Sequence, residues 1–210
     1  IPIHLAFGHE AVAVGMDLTM VSDDMLCVSH RNVAYNLARS KSLISALNHY
    51  KMVARLDREG QMASMNLADD NTNIAYASSI LGNNLAVAAG IAMNRKLIDR
   101  AGITFVATGD GAMEEGIFWE TLIFARSHAL GLVIIVENNN CSMSSTIEQR
   151  RCPIDLSFVC KGLDIKYLDA DGASLPAVKA VLANARGEAL ENSVALVELN
   201  VSSFCQHAGP

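Results

Sequence analysis

The sequence predicts an α/β fold in which helices cover both faces of a parallel sheet. Two apolar runs, residues 103–107 and 132–136, have the length and composition of buried strands, and a polar motif follows each of them. The segment between these runs fits one crossover helix, which a parallel pair of strands requires. Helical and strand-like segments alternate along the chain with short joints, as in sheets that are covered on both sides.

The remaining elements follow from hydrophobic periodicity and from turn-forming residues. We predict helices over residues 10–20, 33–40, 42–50, 84–100, 114–129 and 175–186, and further strands over residues 25–28, 163–168 and 194–201. Residues 57–73 are polar and lack clear periodicity, so we expect a loop over the site. The helix over residues 84–100 carries a face of small residues, built on Ala86, Ala89, Gly90 and Met93.

Composition suits a single domain, residues 1–210, with a substantial core, because 51% of the residues are hydrophobic and 18% are charged. A net charge of −6 without basic runs argues against nucleic-acid binding, since Arg150-Arg151 is only a local pair. The five cysteines form no CxxC pair, which favours a reducing compartment. No apolar run approaches the roughly 20 residues of a membrane span. Because the chain begins at Ile1, we expect native extensions at its ends to be missing.

The most informative motif is Gly109-Asp110-Gly111-Ala112, which follows the strand over residues 103–107, while Asn138-Asn139 follows the next strand. The carboxyl ends of parallel strands border the ligand crevice, so a carboxylate and a carboxamide there can reach one small cation that prefers oxygen ligands. Glycines beside Asp110 let backbone amides approach a phosphate, and a helix that opens at Ala112 would favour an anion. The two motifs together predict a magnesium diphosphate site, whereas Gly-Asp-Gly alone is more typical of a surface turn.

This pairing resembles the fingerprint of thiamine diphosphate enzymes, and further motifs extend the resemblance over about residues 8–207. Residues 8–15, GHEAVAVG, are similar to a G-Q-E-A-x-x-x-G pattern, and residues 30–39 are similar to Y-R-x-x-x-x-x-L-A-R. Residues 109–125 resemble G-D-G-A-x-x-E-G-x-x-x-E-x-x-x-x-A. The family with these patterns is the alpha subunit of the first component of 2-oxo acid dehydrogenase complexes, which includes the pyruvate, branched-chain and acetoin enzymes.

The resemblance implies residues for the metal and for the diphosphate. Asp110 and Asn139 match the two side-chain magnesium ligands, and Cys141 matches the residue whose backbone carbonyl is the third protein ligand. Arg31 matches the arginine that binds the diphosphate, and His30 stands where the family usually has tyrosine. The backbone of the turn would contact the same group through Gly109, Gly111 and Ala112.

The resemblance also implies residues for the cofactor's rings and for catalysis. Leu81 and Met143 match positions that contact the rings, with Met143 as the bulky prop between them. His207 matches the catalytic histidine at the end of an E-x-x-T-Y-R-x-x-G-H pattern, in which Tyr-Arg has become Ser202-Ser203 here. A histidine at this place could serve as general acid and base or bind the diphosphate. The competing interpretation is an unrelated surface histidine near the chain end.

The implied function is decarboxylation of a 2-oxo acid with thiamine diphosphate and Mg²⁺, followed by acyl transfer to the lipoyl domain of an acyltransferase. The carboxylate that contacts the aminopyrimidine would come from a separate beta-type subunit in an alpha2beta2 heterotetramer, because this chain offers no counterpart. We expect the subunits to meet near residues 84–93 and the isolated chain to be inactive. The implied location is the bacterial cytoplasm or the mitochondrial matrix.

Two other hypotheses stay open. The chain could belong to another split thiamine diphosphate enzyme, transketolase-like or a decarboxylase, that acts without lipoyl transfer. It could also be a cofactor-binding or assembly subunit that has lost catalysis, since the family pattern is broken at His30, Val33, Asn66 and Ser79. The opening GHEA and the pair His30-Arg31 favour the 2-oxo acid dehydrogenase subunit, because a transketolase-like half is not expected to share them.

Overall fold

The computed structural model describes residues 4–44 and 72–205. Its strands within these ranges are β1 (Met25–Val28), β2 (Ile74–Ala77), β3 (Thr104–Gly109), β4 (Leu132–Asn138), β5 (Lys166–Asp171) and β6 (Val194–Asn200). These strands form one parallel sheet in the spatial order β2-β1-β3-β4-β6-β5. The predicted α/β fold with a parallel sheet is therefore confirmed.

Helices of the described residues lie on both sides of this sheet. They are α1 (Glu10–Thr19), α2 (Val33–Ser40), α3 (Asn83–Leu97), α4 (Gly116–Ser127), α5 (Ile147–Arg150), α6 (Leu156–Gly162) and α7 (Leu175–Leu190). Side chains of α1, α2 and α7 pack against one face, and side chains of α3, α4 and α6 pack against the other. Crossover connections between parallel strands are right-handed, so the direction of a connection across the sheet determines which face its helix covers. The connections that contain α3, α4 and α6 run in one direction across the sheet, and the connection that contains α7 runs in the other.

The central strands β3 and β4 are buried on both faces. In β3, Phe105 and Ala107 belong to the core under α1 and α7, whereas Val106 belongs to the core under α3 and α4. Each fully buried side chain of Phe or Val size stabilises the fold by about 1.5–3 kcal/mol relative to an exposed one. Burial on both faces removes the polar alternation of an exposed sheet, and for this reason both strands are recognisable as continuous apolar runs.

The strand over residues 163–168 was predicted too early, because β5 begins at Lys166. The preceding residues end α6 instead. The backbone N–H of Ile165 donates to the carbonyl of Cys160 at 2.8 Å, and Asp164 has a φ of 55° in the left-handed region. Such a left-handed residue is typical of helix C-termini.

Three elements are absent from the prediction. The edge strand β2 is only four residues long and follows a polar stretch, and the helices α5 and α6 are four and seven residues long. Elements of this size contain too few residues for a clear period. Most of the predicted helix over residues 42–50 and of the predicted loop over residues 57–73 lies outside the described residues. No helix in residues 4–44 and 72–205 is both long and apolar enough to span a membrane.

Candidate active site

A cavity of about 280 Å³ lies at the carboxyl edge of the sheet. It sits where β1 and β3 are neighbours, with β2 beyond β1 on one side and β4 beyond β3 on the other. From β1 the chain continues to β2 on one side, and the later strands lie on the other side, so the direction of the connections reverses here. A crevice at such a reversal is the usual ligand site of open parallel sheets. Nine of the residues predicted from the sequence line it: His30, Arg31, Leu81, Gly109, Asp110, Gly111, Asn139, Cys141 and Met143.

Asp110 is the first residue after β3 and is only 1% exposed. Burial raises the pKa of this carboxyl above its usual range, although the neighbouring Arg150 acts in the opposite direction. A guanidinium nitrogen of Arg150 donates to Asp110 Oδ2 at 2.8 Å, and its Nε donates to Glu114 at 2.7 Å. The sequence indicated only that Arg150 is half of a local basic pair. In the structure it forms an ion pair with Asp110, the predicted metal ligand.

The backbone turn after β3 differs from the prediction in one respect. Residues Asp110–Glu114 form a short 3₁₀ turn, and the α-helix that was expected to open at Ala112 begins at Gly116. Ala112 is fully buried in this turn and does not border the cavity. At Gly111 an added Cβ would lie 2.7 Å from the Ser142 hydroxyl, so glycine permits the close approach of the two loops.

Asn139 follows β4 with both ends of its carboxamide engaged. Its Nδ2 donates to Ser203 Oγ at 2.7 Å, and its Oδ1 accepts the backbone N–H of Cys141 at 3.0 Å. The neighbouring Asn138 instead donates to Glu198 at 2.7 Å and serves the turn. Because a carboxamide oxygen has two lone pairs, Asn139 Oδ1 can accept this backbone hydrogen bond and still bind a cation.

Four further residues, which were not selected as site residues from the sequence, are connected to Asn139, and two of them, His9 and Glu137, border the cavity. His9 Nδ1 lies 2.5 Å from Glu137 Oε2, and His9 Nε2 lies 2.8 Å from Ser203 Oγ. The Tyr35 hydroxyl donates to the other Glu137 oxygen, and burial, followed by the charge of Glu137, raises the pKa of Tyr35 well above its usual range. The available signal was weak. His9 lies within the GHEA motif, and Glu137 is an acid placed directly after an apolar strand.

The donor set fits a small, hard cation. Asp110 offers a buried carboxylate and Asn139 a carboxamide oxygen on the same cavity as Cys141. The described residues contain no group of three or more His, Cys, Asp and Glu side chains that could hold a metal ion, so a metal here would need the carboxamide, a backbone carbonyl and oxygens from outside the protein. Oxygen donors of this mixed type suit Mg²⁺, which keeps water and phosphate oxygens among its six ligands. In this structure the positive charge beside Asp110 is the guanidinium of Arg150.

Among the other predicted residues, Arg31, His30 and Met143 line the same cavity. Arg31 donates to the carbonyl of Leu5 at 2.5 Å, and the ring of His30 meets that of His4 edge to face at a centroid distance of 4.8 Å. Met143 has a φ of 53° at the tip of a tight turn and is 69% exposed. His207 lies outside the described residues.

Comparisons with known proteins agree with this architecture. The model of a family described as "Dehydrogenase E1 component" matches residues 3–207. The chain is 26% identical over 205 residues to the mitochondrial pyruvate dehydrogenase E1 component subunit alpha-1 of rice, covering 98% of this chain and 52% of that protein. It is 26% identical over 189 residues to the corresponding alpha subunit of Rhizobium meliloti, covering 90% of this chain and 53% of that protein.

A solved structure supports the fold independently. Transketolase from Campylobacter jejuni superposes with a TM-score of 0.75 at 16% identity, over 95% of this chain and 34% of that one. Identity at this level supports the fold and carries no information about the reaction. The chain spans about half the length of the curated relatives that it matches.

Proposed function

Because the chain belongs to the dehydrogenase E1 component family, we propose that it is the alpha-type subunit of a heteromeric 2-oxo acid dehydrogenase and binds the Mg-diphosphate end of thiamine diphosphate. The observation that carries this proposal is the cavity at the carboxyl edge. Residues predicted from four separate segments, after β1, β2, β3 and β4, line that one space. We treat residues 1–210 as one thiamine diphosphate-binding domain.

In this proposal the metal is held by Asp110, the carboxamide oxygen of Asn139 and the backbone carbonyl of Cys141. Burial disfavours the ionised form of Asp110. A divalent cation would compensate that charge more fully than Arg150, which also shares its guanidinium with Glu114. The site is therefore suited to exchange a partner within the chain for a metal that arrives with the diphosphate.

The diphosphate would lie against Arg31, His30 and the backbone of Gly109 and Gly111. A planar guanidinium can bind two phosphate oxygens at once, and an imidazole N–H can donate one further hydrogen bond. The close approach of the turn to Ser142, which glycine permits, brings its backbone to the wall of the cavity. Ala112 lies behind that wall, so its contribution would be confined to the shape of the turn.

The rings of the cofactor would extend towards Leu81 and Met143, which are 43% and 69% exposed at the cavity. Exposed apolar side chains of this kind are typical of surfaces that become covered. We propose that a beta-type subunit covers them in an alpha2beta2 assembly and supplies the carboxylate for the aminopyrimidine. On α3, Ala86 and Gly90 are exposed and remain available for a close helix contact, whereas Ala89 and Met93 of the same predicted face pack into the core beneath the helix.

When bound, thiamine diphosphate supplies the carbanion chemistry, while the protein binds, orients and excludes water. The proposed substrate is a 2-oxo acid, and the proposed acceptor is a lipoyl domain of an acyltransferase. His207 would hold or move a proton at the substrate oxygen. The relatives include mitochondrial and bacterial subunits, so we propose the matrix or the bacterial cytoplasm as the compartment.

Reconstitution with the beta-type partner tests the proposal. The complex, with Mg²⁺ and thiamine diphosphate, should release carbon dioxide from at least one member of a panel of 2-oxo acids and acylate an added lipoyl domain. Decarboxylation without lipoyl acylation would favour another split thiamine diphosphate enzyme. Tight cofactor binding without turnover of any substrate would favour an assembly subunit, the alternative suggested by His30, Asn66 and Ser79.

A further inference from the structure

The side chain of Asn139 is attached to a largely buried chain of hydrogen bonds, of which His9 and Glu137 also border the cavity. Its Nδ2 donates to Ser203 Oγ at 2.7 Å, and Ser203 Oγ lies 2.8 Å from His9 Nε2. His9 Nδ1 lies 2.5 Å from Glu137, whose second oxygen accepts the Tyr35 hydroxyl. His9 is 3% exposed and Tyr35 is 4% exposed, so most of the chain of contacts is protected from water.

The backbone is shaped to bring these residues together. The segment after β6 lies on the residues before α1, where the backbone N–H of Phe204 donates to the carbonyl of Phe7 at 3.0 Å. Gly8 has a φ of 97°, and an added Cβ would lie only 1.8 Å from the carbonyl oxygen of Ser202. Only glycine fits at this crossing, because the backbone has a positive φ and because there is no space for a side chain. The crossing places Ser203 beside His9.

Every contact in the chain has a donor and an acceptor in at least one arrangement of protons. With the proton of a neutral His9 on Nδ1, that nitrogen donates to Glu137 and Nε2 accepts the hydroxyl proton of Ser203. The Ser203 oxygen then accepts from the Asn139 amide nitrogen. In this arrangement Ser203 engages the nitrogen of Asn139, and Oδ1 accepts the N–H of Cys141.

We infer that His9 and Ser203 are positioning residues that fix the orientation of the Asn139 carboxamide, so that its oxygen faces the metal. The inference rests on the proposed function, since it presupposes the Mg-diphosphate site. The two ends of a carboxamide have nearly the same shape, and only hydrogen bonds distinguish them. The backbone N–H of Cys141 holds Oδ1, and Ser203 holds the nitrogen. Without Ser203 the nitrogen loses its acceptor, and a rotated group would present its N–H₂ to the cation, which binds only acceptor atoms.

The connectivity Glu137–His9–Ser203 is also that of an acid, a base and a nucleophile in serine hydrolases. A nucleophilic serine, however, must present its oxygen to a substrate. The oxygen of Ser203 accepts the Asn139 amide, and Ser203 is not among the residues that border the cavity. The arrangement is therefore suited to support a ligand and not to attack a substrate.

The test measures the Mg²⁺ concentration that half-saturates thiamine diphosphate binding to the complex of the full-length chain with its partner, together with a melting curve. Ser203→Ala and His9→Leu should raise this concentration about 10- to 100-fold, the usual effect of removing a group that orients a metal ligand. Ser203→Thr and His9→Gln retain a hydroxyl and a paired donor and acceptor, so they should stay close to the wild type. Ser202→Ala, at an exposed neighbour, is the matched control.

A purely structural role for these residues would lower the melting temperature without moving the Mg²⁺ requirement, and that result overturns the inference. Ser203 lies half-buried in a loop, so Ser203→Ala decides the question even if the buried substitution His9→Leu does not fold. A wild-type complex that fails to bind thiamine diphosphate with Mg²⁺ would overturn the proposed function and this inference with it. Wild-type binding together with an unaltered Ser203→Ala variant would overturn this inference alone.

Discussion

Asp24 at the amino edge of the sheet and Asp110 at the carboxyl edge are both buried acids, but they are held differently. Asp24 accepts four hydrogen bonds, two from the guanidinium of Arg186 and two from the backbone N–H groups of Val21 and Ile103. Asp110 borders a cavity and is joined there to Arg150, which it shares with Glu114. We infer that an acid whose oxygens are fully engaged by its own chain holds the fold, whereas an acid that faces a cavity can exchange its partner for a ligand.

The largest expected effect is the loss of cofactor binding in Asp110→Ala. Without the carboxylate, magnesium has no anionic protein ligand, so calorimetry of the assembled complex should show thiamine diphosphate binding at least about 100-fold weaker. Because burial raises the pKa of Asp110, its folded form binds a proton more tightly than the unfolded form does. Stability therefore falls as pH rises from the unfolded-state pKa of Asp110 through its higher folded-state pKa. At neutral pH the ionised carboxylate destabilises the fold relative to the protonated carboxyl.

In the cofactor-free Asp110→Ala protein, the loss of this cost and the loss of the hydrogen bond to Arg150 act in opposite directions, so it should melt near the wild-type temperature. Asp169→Ala is a matched control, because Asp169 is exposed on β5 and does not border the cavity. Unchanged cofactor affinity in Asp110→Ala would remove the metal site from the proposal.

His207→Ala should separate activity from stability. His207 follows the last strand, and a lost general acid or base lowers turnover by roughly 10² or more. If His207 does not hold the fold together, its removal should change the free energy of unfolding by no more than about 0.5 kcal/mol, as surface substitutions usually do. Steady-state rates of the reconstituted enzyme and a melting curve check both values, and full activity would reduce His207 to an unrelated surface residue.

Asp24→Ala should show the opposite behaviour. Removing one partner of a buried ion pair costs about 3–5 kcal/mol, because the remaining charge and the freed backbone donors lose their acceptor. Denaturant unfolding of the variant measures this loss, while the folded fraction should bind thiamine diphosphate with unaltered affinity. A large change in that affinity would show that the two edges are not independent.

Arg150→Gln should have an intermediate effect. The substitution removes charged hydrogen bonds to Asp110 and Glu114, each of a kind that contributes about 1.5–3 kcal/mol, so the cofactor-free protein should melt at a lower temperature. Saturating Mg²⁺ and thiamine diphosphate should restore more stability to this variant than to the wild type, because the metal replaces the missing charge. Arg150→Lys keeps a cation and serves as the control; equal stabilisation of all three proteins would contradict the exchange.

The smallest effect is a difference in thiol reactivity. Burial raises the pKa of Cys27 to about 12 and that of Cys160 to about 11, so both should resist alkylation at pH 8 in the native protein. Cys141 and Cys152 are exposed and should react. Since Cys141 borders the cavity and Cys152 does not, Mg²⁺ with thiamine diphosphate should protect Cys141 alone, as peptide mass mapping can show. Equal protection of both cysteines would indicate a general change in structure.

The order of the central elements could be predicted from the sequence because burial leaves a direct trace in it. The strands β3 and β4 are largely apolar since both faces are covered, and the buried residues of α4, the helix between them, follow the helical period. Nine site residues converge because a parallel sheet brings the carboxyl ends of its strands to one edge, whatever the details of packing. Short elements such as β2 and α5 left no such trace.

Only the tertiary structure could assign partners to the charged and polar residues. Arg150 is 40 residues from Asp110 in the chain, and Ser203 is 194 residues from His9. Contacts over such separations depend on which loops meet above the sheet, and hydrophobic periodicity carries no information about that. The sequence thus determined at which edge of the sheet the predicted site residues would meet, and nine of them line one cavity there. The structure decided which side chains orient those residues, because hydrogen bonds depend on distance and direction and not on pattern.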